Sequence, residues 1–116
     1  MASSVSKIAR MRDRVILDAP KTAPDGVGGQ EVGWSEQFTR RAEFMFLRGS
    51  EAVDAAALAG RAVFKVRLHQ SAAARTITSD WRMRDARRGL VYNIRSVDAL
   101  TNRAWIFLTV ESGVGI

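Results

Sequence analysis

The stretch SDWRMRDARRGLVYNIRSVDALTNRAWIFLTVE, residues 79–111, decides the fold, because apolar and polar side chains alternate along it between two groups of turn residues. Within residues 81–84 a tryptophan and a methionine alternate with two arginines, and the turns follow at residues 85–89 and 98–103. Alternation with a period of two, bounded by turn residues, is typical of antiparallel strands. We therefore expect a three-stranded antiparallel meander, which is about the smallest sheet that is stable when one face is covered.

The composition indicates one globular domain without disulfide or zinc chemistry. The chain has 116 residues, of which 47% are hydrophobic and 26% are charged, a balance typical of a folded domain. It has no cysteine and a single histidine, so it offers neither a disulfide framework nor the ligands of a usual zinc site. No stretch approaches the roughly 20 apolar residues that cross a bilayer, and the N-terminus lacks the apolar run of a secretory signal. We expect no contact with a membrane.

The chain divides into three segments by composition. Residues 1–11 are small, polar and basic, which predicts a flexible N-terminal arm. Residues 12–111 form a single predicted domain, and residues 112–116 form a C-terminal tail.

A glycine-rich segment follows the first predicted strand, RDRVILDA at residues 12–19. Pro20 should end this strand or keep it at the edge of a sheet. The segment KTAPDGVGGQEVGW, residues 21–34, contains a Pro-Asp-Gly turn and three further glycines. Its G-x-G-G spacing matches neither a dinucleotide-binding fingerprint nor a phosphate-binding loop. We therefore expect a long hairpin, with Trp34 as its packing anchor.

The middle of the chain predicts two more strands and one helix. Residues 34–47 should form a second strand that is apolar on both sides near its end, as in a central or interface strand. Residues 50–60 should form a short helix, because Ser50 can cap its start and Gly60 suits its end. Residues 62–68, AVFKVRL, alternate as a half-buried strand does. About six strands with short connections and one helix predict a mainly β protein, a small closed or nearly closed antiparallel barrel.

Catalytic patterns are missing from the sequence. His69 is the only candidate base, and no nucleophile motif accompanies it. The 12 acidic residues are scattered, without a pair that suggests general acid–base chemistry. We expect neither an enzyme, nor a metal site, nor a cofactor.

The net charge of the chain is +6, and between Arg82 and Arg103 six arginines lie among two aspartates, a local balance of +4. Of these, the candidate basic surface for DNA or a neighbouring subunit consists of Arg82, Arg84, Arg87 and Arg88. With Tyr92 and Trp105 nearby, this region could bind nucleic acid through phosphate contacts and base stacking. The favoured interpretation is a solvated strand face whose arginines pair with Asp80 and Asp85. The sequence leaves both interpretations open.

The order of segments resembles the head–tail joining, or head-closure, family of tailed phages and phage-like particles. The resemblance rests on RDRVILDAP, PDGVGGQEVGW, GSE, AVFKVRL, WRMRD, LVYNIRSVD and RAWIFLTVE, and it covers roughly residues 12–111. The turn DARRG at residues 85–89 is more basic, and residues 44–47 are more aromatic, than is usual in this family.

The resemblance implies a virion protein that forms a ring of twelve subunits at the neck. During assembly of the particle the protein would be in the host cytoplasm. Portal and adaptor proteins would lie above the ring and tail proteins below it, and double-stranded DNA would cross its channel. The ring would close the capsid exit after packaging and dock the tail. A monomeric nucleic-acid-binding barrel and a tail terminator or tail-completion protein are the alternatives.

The same resemblance implies roles for two groups of residues. The connection between the second and third strands would face the channel, through Arg48, Ser50, Glu51, Asp54 and Arg61. Contacts between subunits or rings would come from the hairpin, through Asp25, Val27, Gln30 and Trp34. Strands that are apolar on both sides also need a partner surface, which adds Phe44, Phe46, Trp105 and Phe107 to the candidate contacts.

Overall fold

The computed structural model describes residues 11–24, 26–47 and 49–113. These residues form six strands: β1 Asp13–Pro24, β2 Gln30–Phe46, β3 Val63–His69, β4 Arg82–Asp85, β5 Val91–Asp98 and β6 Trp105–Ser112. One helix, α1 Glu51–Leu58, lies between β2 and β3, and a single 3₁₀ turn, Ala74–Thr76, lies between β3 and β4. The predicted β architecture with one short helix is confirmed. Two predicted site residues, Asp25 and Arg48, lie outside the described residues.

The six strands form a closed antiparallel barrel in the order β1-β2-β3-β6-β5-β4. The predicted meander supplies half of it, since β5 pairs with both β4 and β6. Pairing of β1 with β4, for example Leu17 with Met83, completes the ring. Closure gives the barrel strands neighbours on both sides, which removes most of the free sheet edges.

The core lies inside the barrel because alternate residues of each strand point inward. The core side chains that are at most 1% exposed there come from all six strands: Val15, Leu17, Ala42, Val66, Leu68, Met83, Ile94, Ile106, Leu108 and Val110. The connection from β3 to β4 covers one end of the barrel with Ala74, Ile77 and Trp81, all buried. Trp81 packs against Phe38 of β2, with ring centroids 6.0 Å apart.

The β1–β2 hairpin continues beyond the barrel as an arm, defined here as residues 19–35. Past Asp18, β1 pairs only with β2, so the arm is a ribbon of two strands. Gly26 and Gly28 have φ angles of +84° and +87°, which confirms the glycine-dependent turn at its tip. Of the two predictions for Pro20, the edge position is the correct one. The strand continues past Pro20, and both Pro20 and Pro24 lie at a free sheet edge.

Helix α1 begins and ends as its sequence predicts. The Ser50 hydroxyl accepts a hydrogen bond from the backbone N–H of Val53 at 3.2 Å, and Gly60 turns the chain with a φ of +78°. Ala56 is 4% exposed and packs toward the barrel, whereas Leu58 is 92% exposed. The helix is therefore held by one narrow face. No described helix is long and apolar enough to cross a membrane.

Candidate functional site

The arginines of β4 bind a buried carboxylate on the neighbouring strand β1. Asp18 pairs directly with Arg82 across the sheet, and its side chain is 1% exposed. Its Oδ2 accepts bonds from Nε of Arg82 and Nε of Arg84, both at 2.7 Å. A second bond, from Arg84 Nη2 to Asp18 Oδ1 at 2.9 Å, makes the Arg84 contact bidentate. A bulge at Leu17 and Asp18 accompanies this site, where both consecutive residues are buried.

Two residues of β2 extend this cluster. Arg84 Nη2 also donates to Glu36 at 3.0 Å, and the Arg82 guanidinium lies over the Trp34 ring, 4.7 Å from its centroid. Burial alone would raise the pKa of Asp18, but the bonds from Arg84 and Arg82 outweigh it and lower that pKa below its ordinary value. The same contacts raise the pKa of Arg84. Asp18 is therefore ionised and its two arginines are neutralised within the chain.

The turn after β4 forms a second internal ion-pair cluster. Asp85 is fully buried and its Oδ1 accepts the backbone N–H groups of Arg87 and Arg88 at 3.0 and 3.1 Å. Arg88 Nη1 reaches Asp85 at 2.7 Å and Asp13 at 3.0 Å. Burial acts to raise the pKa of Asp85, yet these bonds lower it overall. The basic turn thus owes its shape to a buried aspartate.

The predicted basic surface is therefore largely neutralised by its own chain. Arg82, Arg84 and Arg88 all form ion pairs, and only the Arg87 side chain lacks one within the described residues. Asp85 is a partner as expected, whereas Asp80 instead accepts a hydrogen bond from Thr78. The ion-pair partner of Arg82 and Arg84 is Asp18, which was not predicted from the sequence, and not Asp80.

Tyr92 does not share a face with these arginines, which corrects the expected aromatic and basic surface. It pairs with Met83 across the sheet and points inward with it, so it is 3% exposed. Arg82 and Arg84 occupy the opposite face because successive strand residues alternate. Tyr92 is therefore close to Arg82 and Arg84 in sequence but lies on the other face of the sheet.

Trp105 and Phe107 lie on the outer face of β6 under cations of β3. Arg67 lies 4.3 Å from the Trp105 ring centroid, and His69 stacks on the same ring at 4.4 Å. Lys65 lies 4.7 Å from the centroid of Phe107. Trp105 is 9% exposed, so little of its surface is available to another subunit. His69 is thus a packing partner of Trp105.

The end of the barrel opposite the 3₁₀ turn is open. A cavity of about 400 Å³ there, called the barrel mouth below, is lined by Asp13, Phe44, Phe64, Arg88, Leu90 and Tyr92. The rings of Phe44, Phe64 and Tyr92 contact one another at centroid distances of 5.6 to 5.9 Å. Phe46 packs on Phe64 beside it at 5.4 Å and is 50% exposed. The predicted contact residues Phe44 and Phe46 thus lie together at this end.

The Tyr92 hydroxyl is a polar group of the mouth without a hydrogen-bond partner among the described residues. Tyr92 lines the cavity, and no hydrogen bond joins its hydroxyl to any described residue. Burial, followed by the nearby Asp85 charge, raises the pKa of this phenol, which is therefore a hydrogen-bond donor at neutral pH.

The predicted channel segment lies beside the mouth, around α1. Glu51 and Asp54 are exposed in the first turn of the helix, where carboxylates suit the positive end of the helix dipole. Arg61 pairs with Glu111 of β6 at 3.8 Å. Within the described part of this segment, the carboxylates of Glu51 and Asp54 form no ion pair, whereas the charge of Arg61 is partly neutralised by Glu111.

The predicted contact residues of the arm differ in exposure. Val27 at its tip is 88% exposed, and Gln30 is also exposed. Trp34, the predicted packing anchor, is half-buried beneath Arg82 at the base of the arm.

The turn between β5 and β6, residues 98–104, exposes the side chain of a leucine to solvent. Leu100 is 95% exposed. Asp98 Oδ1 accepts the backbone N–H groups of Leu100 and Thr101 at 3.1 and 3.0 Å, and Asn102 Oδ1 accepts two more from residues 104 and 105. Gln70 donates from below to the carbonyls of residues 99, 102 and 105. This segment, called the Leu100 turn below, is held by side-chain hydrogen bonds along its length. Its Asp and Asn were visible in the sequence as turn residues, but the exposure of Leu100 was not predicted.

Catalytic and metal-binding arrangements do not emerge from the described part of the chain. No three His, Asp or Glu side chains come close enough there to hold a metal ion. The fold and its surfaces thus define a small antiparallel β-barrel with an open mouth, a projecting arm and a neutralised basic face, features suited to protein contacts.

The comparisons with known proteins give the family. The sequence model of the phage head completion protein family matches residues 6–113, so the chain belongs to that family. It is a structural protein of phage or phage-like virions that contacts other head or tail proteins. The resemblance noted from the sequence is confirmed. A comparison with curated proteins finds no match.

Two solved structures share the fold. One is a chain from the virion of a native gene transfer agent particle, with a TM-score of 0.59 and 20% identity, covering 87% of this chain and 93% of that one. The other is the solution structure of protein SF1141 from Shigella flexneri 2a, with a TM-score of 0.70 and 20% identity, covering 94% of this chain and 98% of that one.

Proposed function

We propose that the protein forms a ring at the neck of the particle, closes the portal exit after DNA packaging and docks the tail. The observation that carries this proposal is membership of the head completion family across residues 6–113. A closed barrel with an arm reaching beyond its core suits a subunit whose contacts with neighbours are its function.

The charges around α1 support its placement toward the DNA channel. Glu51 and Asp54 are exposed, whereas Arg61 is paired with Glu111. Exposed carboxylates repel the phosphates of passing DNA, while a ring of free arginines would hold them. A channel that must release DNA needs such weak contact.

The ion pairs argue against a nucleic-acid-binding module. Phosphate binding through Arg82 and Arg84 would have to compete with a bidentate bond to the buried Asp18 carboxylate. The arginine cluster therefore contributes to the stability of the β1–β4 closure, and the basic face offers fewer free cations than its sequence suggests.

Assembly with cognate partners tests the proposal. The protein is mixed with its portal and adaptor proteins and examined by native mass spectrometry and electron microscopy. A ring stacked on the portal complex, with twelve copies of this chain, is expected. A protein that stays monomeric beside an intact portal complex would refute the proposal. Copurification with tails in place of filled heads would make it a tail-completion protein.

A further inference from the structure

The barrel mouth and the Leu100 turn lie at opposite ends of the same barrel and are complementary in chemistry. Strand β5 runs from Val91, beside the mouth, to Asp98, where the turn begins. Eight strand residues span about 26 Å. A cavity at one end and a projecting apolar side chain at the other are the two halves of a heterologous contact, which forms rings when its rotation closes.

We propose that Leu100 of one copy inserts into the barrel mouth of the next copy, a contact that rests on the ring proposed above. The mouth offers Phe44, Phe64 and Tyr92 around a cavity of about 400 Å³, which is roomy enough for a leucine side chain. Leu100 is 95% exposed and would lose this exposed apolar surface on insertion.

Polar groups on the two surfaces also match. Asp13 lines the mouth and shares the cation Arg88 with the buried Asp85. Arg103 stands exposed on the Leu100 turn and forms no ion pair with any described residue. Its positive charge could pair with the Asp13 carboxylate, which has only a share of Arg88. The free Tyr92 hydroxyl can donate to a backbone carbonyl of the inserted turn.

Hydrogen bonding of its turn distinguishes Leu100 from the other exposed apolar residues. Side-chain bonds from Asp98 and Gln70 fix its turn before any partner arrives, so little conformational entropy is lost on binding. Leu58 is equally exposed, but α1 lies beside the mouth and cannot give a head-to-tail contact along the barrel. Val32 projects from the arm, which pairs with no other strand.

Engineered cysteines test the contact directly, because the chain has none of its own. In the double variant Leu90→Cys/Leu100→Cys, the two positions lie too far apart within one copy for a disulfide, which needs Cα atoms within about 7 Å. Oxidation of the assembled complex with portal and adaptor should give a ladder of disulfide-linked oligomers on a non-reducing gel. The matched control is Leu90→Cys/Val32→Cys, which should give no ladder.

The outcomes separate this contact from the ring itself. Rings seen by electron microscopy without a ladder would overturn the contact and leave the proposed function standing. A ladder from the Val32 pair alone would assign the mouth to the arm of the neighbour. If the wild-type protein forms no ring, the proposed function fails and this contact fails with it.

A second variant measures the strength of the contact. Because Leu100 is exposed in the single copy, Leu100→Ser should leave the thermal unfolding midpoint unchanged. The protein concentration for half-maximal ring assembly should rise by about tenfold, since one buried leucine side chain is lost. An unchanged assembly curve would contradict insertion of Leu100.

Discussion

Arg84 binds Asp18 through two nitrogens, with Nε 2.7 Å from Oδ2 and Nη2 2.9 Å from Oδ1. These residues lie 66 positions apart in sequence and meet only because β4 closes the barrel against β1. The pair therefore bonds the first strand of the fold to the beginning of its meander.

Removing the buried charge should weaken this closure. Asp18→Asn keeps the shape of the side chain but loses the charge that holds two arginines, and it should lower the free energy of unfolding by roughly 2–3 kcal/mol. Urea unfolding at neutral pH measures the change. The control Glu31→Gln, at an exposed position of the arm, should stay within about 0.5 kcal/mol of wild type. Equal stabilities of the two variants would contradict the structural role of Asp18.

Stability should fall in acid because Asp18 and Asp85 both have a lowered pKa in the folded protein. The unfolded chain then binds more protons than the folded one in acid. Their contribution is complete above the ordinary aspartate pKa of about 4 and is lost as the pH falls through the lowered folded values. Urea unfolding from pH 7 downward should show this loss. In Asp18→Asn/Asp85→Asn the decline should be shallower, and an identical profile would refute the assignment.

Affinity for DNA should not depend on Arg84. Because Arg84 is held by Asp18 and Glu36, Arg84→Ala should lower stability while leaving low-salt binding of double-stranded DNA unchanged within about twofold. Fluorescence anisotropy measures the affinity, and urea unfolding of the same samples measures the stability. Arg87→Ala is the matched control, because Arg87 forms no ion pair with any residue that the structure describes. A tenfold loss of affinity in Arg84→Ala alone would restore the nucleic-acid interpretation.

The Leu100 turn should lose its rigidity without Gln70. Gln70→Ala removes the donor to the carbonyls of Ala99 and Asn102 and should cost about 1–2 kcal/mol of unfolding free energy. Hydrogen exchange of the Leu100 and Thr101 amides should accelerate more than exchange in β3. Gln37→Ala, at an exposed position of β2, is the control and should change neither quantity. Unaltered exchange in Gln70→Ala would show that Asp98 alone fixes the turn.

Local patterns in the sequence were enough to predict the elements of the fold. Period-two alternation predicted the meander, and Ser50 and Gly60 predicted the ends of α1, because these signals depend on neighbouring residues alone. The family followed from the order of those elements.

Contacts across the closed barrel could not be predicted in the same way. Asp18 lies far from Arg82 in the chain, so no local sequence pattern predicts their hydrogen-bonded ion pair. Tyr92 and Trp105 are both aromatic residues of the meander, yet one lines the mouth and the other lies under Arg67. Exposure and partners of a side chain depend on strand order, which the sequence leaves open.

The prolines of the arm limit how far copies of this protein can aggregate through their strands. Pro20 and Pro24 lack backbone donors on the free edge of β1, whereas Gln30–Phe46 contains no proline. Two arms could therefore join only through their β2 edges, as a four-stranded sheet. Both outer edges of that sheet would be proline-bearing β1 strands, so growth would end at a pair of molecules. The arm is thereby a poor template for the continuous sheet of a fibril.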